Sequence, residues 1–397
     1  PELGALTDQF VAPQSALEQQ IAAIWQDVLK LEHVGLTDNF FELGGDSIIS
    51  IQVVSRARQA GIHFTPKELF QHQTVQGLAS ITQLTSDRAG VDQGPVSGEV
   101  ALLPIHQWFF QQDIPERHHW NQSVALQPHE VLDARALEDA LQGLIEHHDA
   151  LRLNFKPQGT GWAGHVVAPT LRTVLWQQDV ADVAALVPLY DKAQRSLDLQ
   201  EGPLLRAVLS NLPNGEQRLL IVIHHLVVDG VSWRILFEDL QTLYRQQNSG
   251  QTHQLPHKTS SVKAWGERLR EYAQSDALQE EIEYWQQQLN GVATDLPCEH
   301  PDASLHNRHS RNLQVRLGQA QTRQLLQQAP AAYRTQINDL LLTALARVVG
   351  RWTRRDDTLI QLEGHGREEL FDDIDLTRTV GWFTSIFPIK LSAAATL

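Results

Sequence analysis

Methionine is absent from this chain of 397 residues, and cysteine occurs once, as Cys298. A single cysteine excludes an internal disulfide framework and any metal site built from several cysteines, which favours a reducing compartment. No apolar run reaches the roughly 18 residues that a membrane span needs, and the start, PELGALTDQF, lacks the pattern of a secretory signal. We therefore expect no membrane contact and a cytoplasmic location.

Positive charge is also scarce, since 32 Lys and Arg residues face 47 Asp and Glu residues and give a net charge of -15. No cluster of basic residues is available to bind phosphates, which excludes nucleic acid as a partner. The hydrophobic fraction of 42% and the charged fraction of 20% are typical of globular proteins. The length exceeds what one ordinary core supports, so two or more domains are expected.

A stretch of small, polar and turn-forming residues, 85–100, separates two halves of different pattern. Before it, capping boxes at Ser15 and Thr65 and helical periodicity predict a small helical bundle over 1–84. From 101 to 397, helices and strands alternate, which predicts an α/β or α+β domain. Periodicity alone does not determine its topology. Helices are expected at 134–146, 232–247, 262–289 and 335–352, and strands at 204–210, 217–225, 311–317, 357–363 and 380–391.

The segment DNFFELGGDSIIS places Ser47 at the start of a predicted helix, directly after two glycines and Asp46. A helix start offers free N–H groups and a partial positive charge, so it suits a phosphate esterified to Ser47. In the alternative interpretation, Asp46 or Ser47 only caps the helix. No glycine stands two residues after Ser47, which excludes a GxSxG nucleophile elbow.

The string FFELGGDSI, followed by TPKELFQHQTVQGLA, resembles the peptidyl carrier domains of nonribosomal peptide synthetases over residues 1–84. This resemblance implies a four-helix bundle and a 4'-phosphopantetheine attached covalently to Ser47, with Asp46 beside it. The flexible arm would present a substrate as a thioester. Asp46, where many carriers have histidine, resembles carriers that precede epimerization domains.

A second group of motifs begins with LLIVIHHLVVDGVSW, where His224 and His225 end an apolar strand and Asp229 precedes a helix. A single histidine in such a place is commonly a core residue, but the full HHxxxDG string resembles the signature of the condensation and epimerization superfamily. That family implies a two-lobed fold like that of chloramphenicol acetyltransferase. PIHQWFF, HHDALRLNF, EGHGRE and TRTVGWFTSIFP occur in the order of epimerization-domain motifs over 101–397. Condensation domains typically lack EGHGRE.

The resemblance also implies roles for single residues. Inverting a carbon requires removing its proton from one face and returning a proton to the other, so two proton-transfer groups are needed. The motifs assign these roles to His225 and Glu363, with the faces left open, and give Asp229 a structural role in which Arg152 is its expected partner. Further candidates for shaping the cleft are His224, Gly230, His365, Arg367, Trp382 and Ser385.

The expected function is L-to-D epimerization of an aminoacyl or peptidyl thioester, with an upstream adenylation domain and a downstream condensation domain or synthetase as partners. Two alternatives are a condensation domain that forms peptide bonds and an inactive scaffold that docks carriers. Later family motifs are not found, so the catalytic domain over 101–397 is expected to be incomplete at its C-terminus. The pairs at His118 and His147 lack helix-spaced ligands such as HExxH, so no metal is expected.

Overall fold

A computed structural model of the protein describes residues 10–84, 91–304, 306–333 and 335–392. These residues form two compact units. The first takes the described residues within 1–38, 45–274 and 364–385, and the second takes those within 39–44, 275–363 and 386–397. None of the described helices is long and apolar enough to cross a membrane.

Four helices make up most of residues 10–84. They are α1 (Ala16–Leu29), α2 (Ser47–Gln59), α3 (Pro66–Gln71) and α4 (Val75–Ile81), and a short strand β1 (Ile62–His63) pairs with β2 (Gln83–Leu84). The capping boxes predicted at Ser15 and Thr65 are present. Trp25, Ile51 and Leu78 are buried at the centre of the bundle because the apolar residues of these helices recur at helical spacing. The predicted helical bundle is confirmed.

The remainder of the first unit alternates strands and helices. Its elements are β3 (Gly98–Val100), α5 (Pro104–Gln111), β4 (Asn121–Leu126), α6 (Ala134–His147), β5 (Leu153–Gln158), β6 (Gly161–Val166), β7 (Leu175–Asp179), α7 (Leu186–Gln194), β8 (Leu205–Asn211), β9 (Gln217–His224), α8 (Gly230–Asn248) and α9 (Val262–Tyr272). The predicted helix over 262–289 is interrupted, since α9 ends at Tyr272 and a new helix begins after Ser275.

A four-stranded sheet in the order β4-β9-β8-β7 carries the histidine pair. Strands β8 and β9 form the predicted antiparallel hairpin, with Leu205 opposite Ile223, and β7 runs parallel to β8. Helix α7 packs on this sheet through Ala193, which lies in one buried cluster with Val208 and Val222. β8 and β9 are buried almost throughout, as expected for strands of a sheet that is covered on both faces.

A second sheet in the order β3-β6-β5 includes the end of the predicted linker. Gly98–Val100 pairs with residues 164–166 of β6, so these three residues belong to the sheet of the domain that follows. The linker prediction over 85–100 is therefore wrong at its end, since a stretch of three residues is too short to produce a clear strand pattern. Residues 85–90 lie outside the described part of the chain.

The second unit contains α10 (Asp276–Leu289), α11 (Gln319–Arg323), α12 (Ala329–Tyr333) and α13 (Ile337–Thr353). Strand β10 (Asp357–Gly364) pairs with β11 (Ser385–Ser392). The strand predicted over 311–317 is wrong, because this segment has no regular structure and Leu313 is 93% exposed. Alternating residues form a strand only where a neighbouring strand supplies hydrogen bonds.

Candidate active site

The histidine pair lies where β9 ends, with His225 beginning a single 3-10 turn that leads into α8. His224 is completely buried. Its Nε2–H donates to the carbonyl oxygen of Arg117 at 2.8 Å, and its Nδ1 accepts from the N–H of Leu226 at 3.2 Å. Burial lowers the pKa of His224 to about 4, so its ring is neutral at pH 7.

A second buried histidine, His106 on α5, binds the other backbone group of Leu226. Its Nε2–H donates to the carbonyl oxygen of Leu226 at 3.1 Å, and burial lowers the pKa of His106 to about 4. Both backbone groups of Leu226 are thus bound by neutral imidazoles. The segment PIHQWFF was a motif match in the sequence, but nothing in it indicated this contact with the residue after His225.

His225 is held in one tautomer by a directed chain of hydrogen bonds. Its Nδ1 lies 2.8 Å from the carbonyl oxygen of Val228, which only accepts, so Nδ1 carries the proton. Its Nε2 lies 3.1 Å from the amide nitrogen of Gln122, and the amide oxygen of Gln122 accepts from the indole N–H of Trp233 at 2.7 Å. The ring stacks on Trp382 at 4.1 Å between centroids. The neutral imidazole therefore has its lone pair on Nε2.

Gln122 is a site residue that sequence reasoning missed. It lies on β4, one residue after Asn121, which faces His224 across the antiparallel pair β4 and β9. A lone glutamine on a half-buried strand carries no motif. The only signal available was position, since a strand paired with the end of β9 necessarily brings its side chains near the histidines.

Asp229 begins α8 and anchors a buried ion pair. One carboxylate oxygen accepts from the backbone N–H of Ser232 at 2.8 Å, as expected for an N-cap. Nη2 of Arg367 donates to both carboxylate oxygens at 3.0 Å, and Asp229 and Arg367 are only 6% and 4% exposed. Removing one partner of such a pair leaves a buried charge and costs about 3–5 kcal/mol. The structural role expected for Asp229 stays a prediction, and this geometry is compatible with it.

The expected partner of Asp229, Arg152, is wrong. Arg152 is buried elsewhere, where it binds the carboxylate of Asp149 and donates to the carbonyl oxygens of Val96 and Val167. Both Arg152 and Arg367 lie in motifs of the resembled family, so the sequence did not distinguish them. Arg367 instead occupies this place because its segment runs beside the start of α8, where the backbone N–H of Phe383 also donates to Asp229.

The other predicted site residues lie on or beside β10 and β11. Glu363 is the penultimate residue of β10 and its side chain is exposed. His365 follows, and its Nδ1 accepts from the N–H of Arg367 at 3.0 Å; burial lowers the pKa of His365. Trp382 is 5% exposed and donates from its indole to Thr384, and Ser385 begins β11. The roles of these residues stay predictions.

The predicted attachment serine lies at the first position of α2. Asp46 caps this helix, since its Oδ1 accepts from the N–H groups of Ile48 and Ile49 at 2.9 and 2.7 Å. Capping by Asp46 leaves the exposed hydroxyl of Ser47 available for a covalent group. These residues therefore fit a phosphate ester at Ser47.

At the start of α8, Gly230 is exposed, and a Cβ added there would meet no atom within 4 Å.

Among the described residues, His147, His148 and Asp239 form one group close enough to share a metal ion. Nε2 of His148 lies 2.8 Å from Asp239, and the guanidinium of Arg378 binds the other oxygen of the same carboxylate. Burial alone would raise the pKa of Asp239, but the hydrogen bond from His148 and the nearby positive charge lower it. The carboxylate of Asp239 is thus bound by an imidazole and a guanidinium, so we assign it to ion pairing.

Comparison with known proteins identifies the family. A family described as "Condensation domain" matches residues 96–396, and one described as "Phosphopantetheine attachment site" matches residues 19–81. The chain belongs to the condensation-domain family. It is a nonribosomal peptide synthetase segment in which a carrier domain precedes a two-lobed, mixed α/β condensation-family domain. The second match also confirms the predicted covalent 4'-phosphopantetheine.

Curated relatives of this condensation-family chain are much longer synthetases. Tyrocidine synthase 2 of Brevibacillus parabrevis is 43% identical over 392 residues, which is 97% of this chain and 11% of that protein. Surfactin synthase subunit 1 of Bacillus subtilis (strain 168) is 42% identical over 98% of this chain and 11% of that protein. The chain thus spans a small part of the length of these relatives.

Solved structures confirm the predicted fold. The epimerization domain from the third module of tyrocidine synthetase B aligns with a TM-score of 0.72 and 40% identity, over 76% of this chain and 70% of that one. The X-domain from teicoplanin biosynthesis aligns with a TM-score of 0.61 and 23% identity, over 71% of this chain and 63% of that one. The second likeness concerns the fold alone.

Proposed function

We propose that this chain inverts the α-carbon of an aminoacyl or peptidyl group held as a thioester on its own carrier domain. The observation that carries this proposal is the fixed tautomer of His225. Because Nδ1–H is bound by the carbonyl of Val228, the lone pair of the neutral ring is on Nε2, where a proton is accepted. A general base for the α-proton needs such a lone pair on a rigid element.

Two observations favour epimerization over peptide-bond formation. The chain has 40% identity to a solved epimerization domain, and Glu363 lies in an EGHGRE string. Arg367 follows Glu363 by four positions, and its partner Asp229 follows His225 by four positions. Both proposed proton-transfer groups are therefore connected through short segments to the same buried ion pair.

In the proposed reaction, one of His225 and Glu363 removes the α-proton and the other returns a proton to the opposite face. When His225 acts as the base, the proton moves to Nε2 and the ring becomes an imidazolium. Trp382, stacked on that ring, stabilises the positive charge through its π face. Each inversion therefore adds one proton to the side chain that acts as base and removes one from the other, which starts protonated. Proton exchange with solvent restores both groups, and no oxidant or reductant is required.

We propose Ser47 as the attachment residue of the carrier. Its hydroxyl is exposed at the start of α2, where the helix terminus favours a phosphate. The attached arm presents the acyl group as a thioester, whose carbonyl accepts the electron pair left when the α-proton departs. An adenylation domain upstream would select the amino acid, and a condensation domain or synthetase downstream would accept the D product.

A direct test loads the holo-protein with L-aminoacyl groups and follows α-proton exchange in deuterated water together with the chirality of the released acid. Wild-type protein is expected to exchange the α-proton and form a mixture of L and D products. His225→Ala and Glu363→Gln are each expected to lower the rate by about 10²-fold or more, typical of losing a positioned acid or base.

Glu368→Gln is the matched control, because Glu368 lies in the same motif but its carboxylate is 3.8 Å from His365 and makes no closer ion pair in the described structure. Its exchange rate should stay close to wild type. Unchanged exchange in both His225→Ala and Glu363→Gln would reject the proposal. Amide product without exchange, on addition of an aminoacyl acceptor carrier, would favour the condensation alternative.

A further inference from the structure

The carrier helix α2 contacts the condensation-family domain through a set of polar pairs. Its Gln52 accepts from Arg234 of α8 at 3.1 Å. At its other end, Nη2 of Arg58 lies 2.7 Å from Glu369, and Nη1 of Arg58 lies 2.7 Å from Asp375. One guanidinium therefore bridges two carboxylates of the catalytic domain, which is the geometry that arginine favours over lysine.

These ion pairs are sheltered from water. The side chain of Arg58 is 13% exposed, that of Asp375 is 18% exposed, and that of Glu369 is 30% exposed. Ile51, two turns before Arg58 on the same helix face, lines the same small cavity together with Trp265 and Phe371 of the catalytic domain and several neighbours. Apolar side chains next to an ion pair exclude water and so reduce screening by solvent. This contact is therefore stronger than an ordinary surface ion pair.

The two acids belong to the segment that also supports the candidate active site. The backbone of Asp375 is fixed by Ser260, which donates to its carbonyl oxygen and accepts from its N–H. Arg367, the partner of Asp229, donates to the carbonyl oxygens of Leu376 and Thr379 in the same turn. Residues 367–379 are thus bound on one side by the carrier and on the other by the ion pair next to His225.

We propose that Arg58 is the residue by which the catalytic domain recognises its own carrier, and that its binding to Glu369 and Asp375 fixes the segment that holds Arg367 on Asp229. The partner that Glu369 and Asp375 fit is a carrier helix presenting one guanidinium to both carboxylates at once, as Arg58 does. The inference rests on the proposed function for its effect on the reaction rate, whereas the docking itself is measured without catalysis.

Docking is measured by energy transfer between dyes on Glu32→Cys in the carrier and Gln178→Cys on β7, both exposed positions, in a chain whose native cysteine is removed by Cys298→Ser. Arg58→Glu should lower the transfer efficiency, because two attractions become two repulsions. The α-proton exchange rate should fall about tenfold or more, as the arm spends less time at the site. Raising the salt concentration should lower the efficiency in wild type more than in Arg58→Gln.

Three further variants make this result decisive. Lys67→Glu changes the charge of the carrier equally at an exposed position with no contact among the described ion pairs, so its efficiency should equal wild type. Glu369→Arg should lower the efficiency, and Arg58→Glu combined with Glu369→Arg should restore part of it. Unchanged efficiency in both single variants would overturn the proposal while leaving epimerization intact. Lost exchange with unchanged efficiency would also overturn it, since Arg58 would then act without docking.

Discussion

Replacing Gln122 by a charged residue should change how the reaction depends on pH, because Gln122 is the only described side chain in hydrogen-bond contact with Nε2 of His225. The amide donates to the lone pair at 3.1 Å, and Trp233 fixes the amide so that the nitrogen faces the ring. Gln122→Leu removes two neutral hydrogen bonds, the one to His225 and the one from Trp233, and each is worth about 1 kcal/mol. Because this hydrogen bond to His225 has to break before Nε2 accepts the α-proton, we expect the exchange rate to change by no more than about fivefold, with the shape of the pH profile retained.

Gln122→Glu should have the opposite kind of effect. A carboxylate cannot donate to the lone pair, but it binds a protonated ring, and an opposite charge within about 4–6 Å favours the charged form by about 1–3 pH units. The base form of His225 would therefore be lost at higher pH. The acidic limb of the exchange profile should move to higher pH by at least about one unit.

The assay measures α-proton exchange between pH 5.5 and 9 on the loaded holo-protein, with ¹⁵N chemical shifts reporting the tautomer of His225. Gln177→Glu, at an exposed position on β7, introduces the same charge away from the site and should leave the limb unchanged. If the limb of Gln122→Glu coincided with that of wild type, Gln122 would not be orienting the base and the assignment would be refuted.

Two further predictions concern access and acid stability. Gly230→Leu should abolish exchange without lowering the unfolding temperature. A side chain there meets no atom of the protein but enters the open space beside the turn. A lower unfolding temperature would contradict this. Below pH 6.5 the folded protein should lose stability until about pH 4, because burial lowers the pKa of His106 and His224 to about 4 and the unfolded chain binds the extra protons first. Each ring contributes up to about 3 kcal/mol to this loss of unfolding free energy. Urea unfolding at pH 7 and pH 4.5 should therefore show a smaller loss in His106→Gln than in wild type.

Local signals in the sequence predicted much of the fold. The box at Ser15, the Thr65 cap with Pro66, and the NLPNGE turn between β8 and β9 each depend on residues a few positions apart. The end of β9 and the start of α8 were equally readable, because an apolar run ending in HH and an aspartate before a helix are both short-range patterns.

Contacts between distant segments were less predictable. The motifs contain three buried arginines that could have paired with Asp229, namely Arg152, Arg367 and Arg378. Only the path of 364–385 past α8 determines that Arg367 is the partner. Gln122 and His106 had no motif of their own, since their roles come from the register of β4 on β9 and from the packing of α5. The failed strand at 311–317 has the same cause, because pairing is a property of the neighbour and not of the segment.

Two neutral histidines, His106 and His224, lie beside the proposed catalytic His225, and the hydrogen bonds of the turn around His225 explain their position. Their hydrogen bonds fix both backbone groups of Leu226, the residue after His225, and the carbonyl of Val228 fixes the ring itself. In the proposed reaction, a charged His106 or His224 would repel the imidazolium formed on His225, so the burial that keeps both rings neutral would also favour proton transfer to the third ring. The same burial that limits stability in acid therefore keeps the base in position while the substrate arrives on a flexible arm.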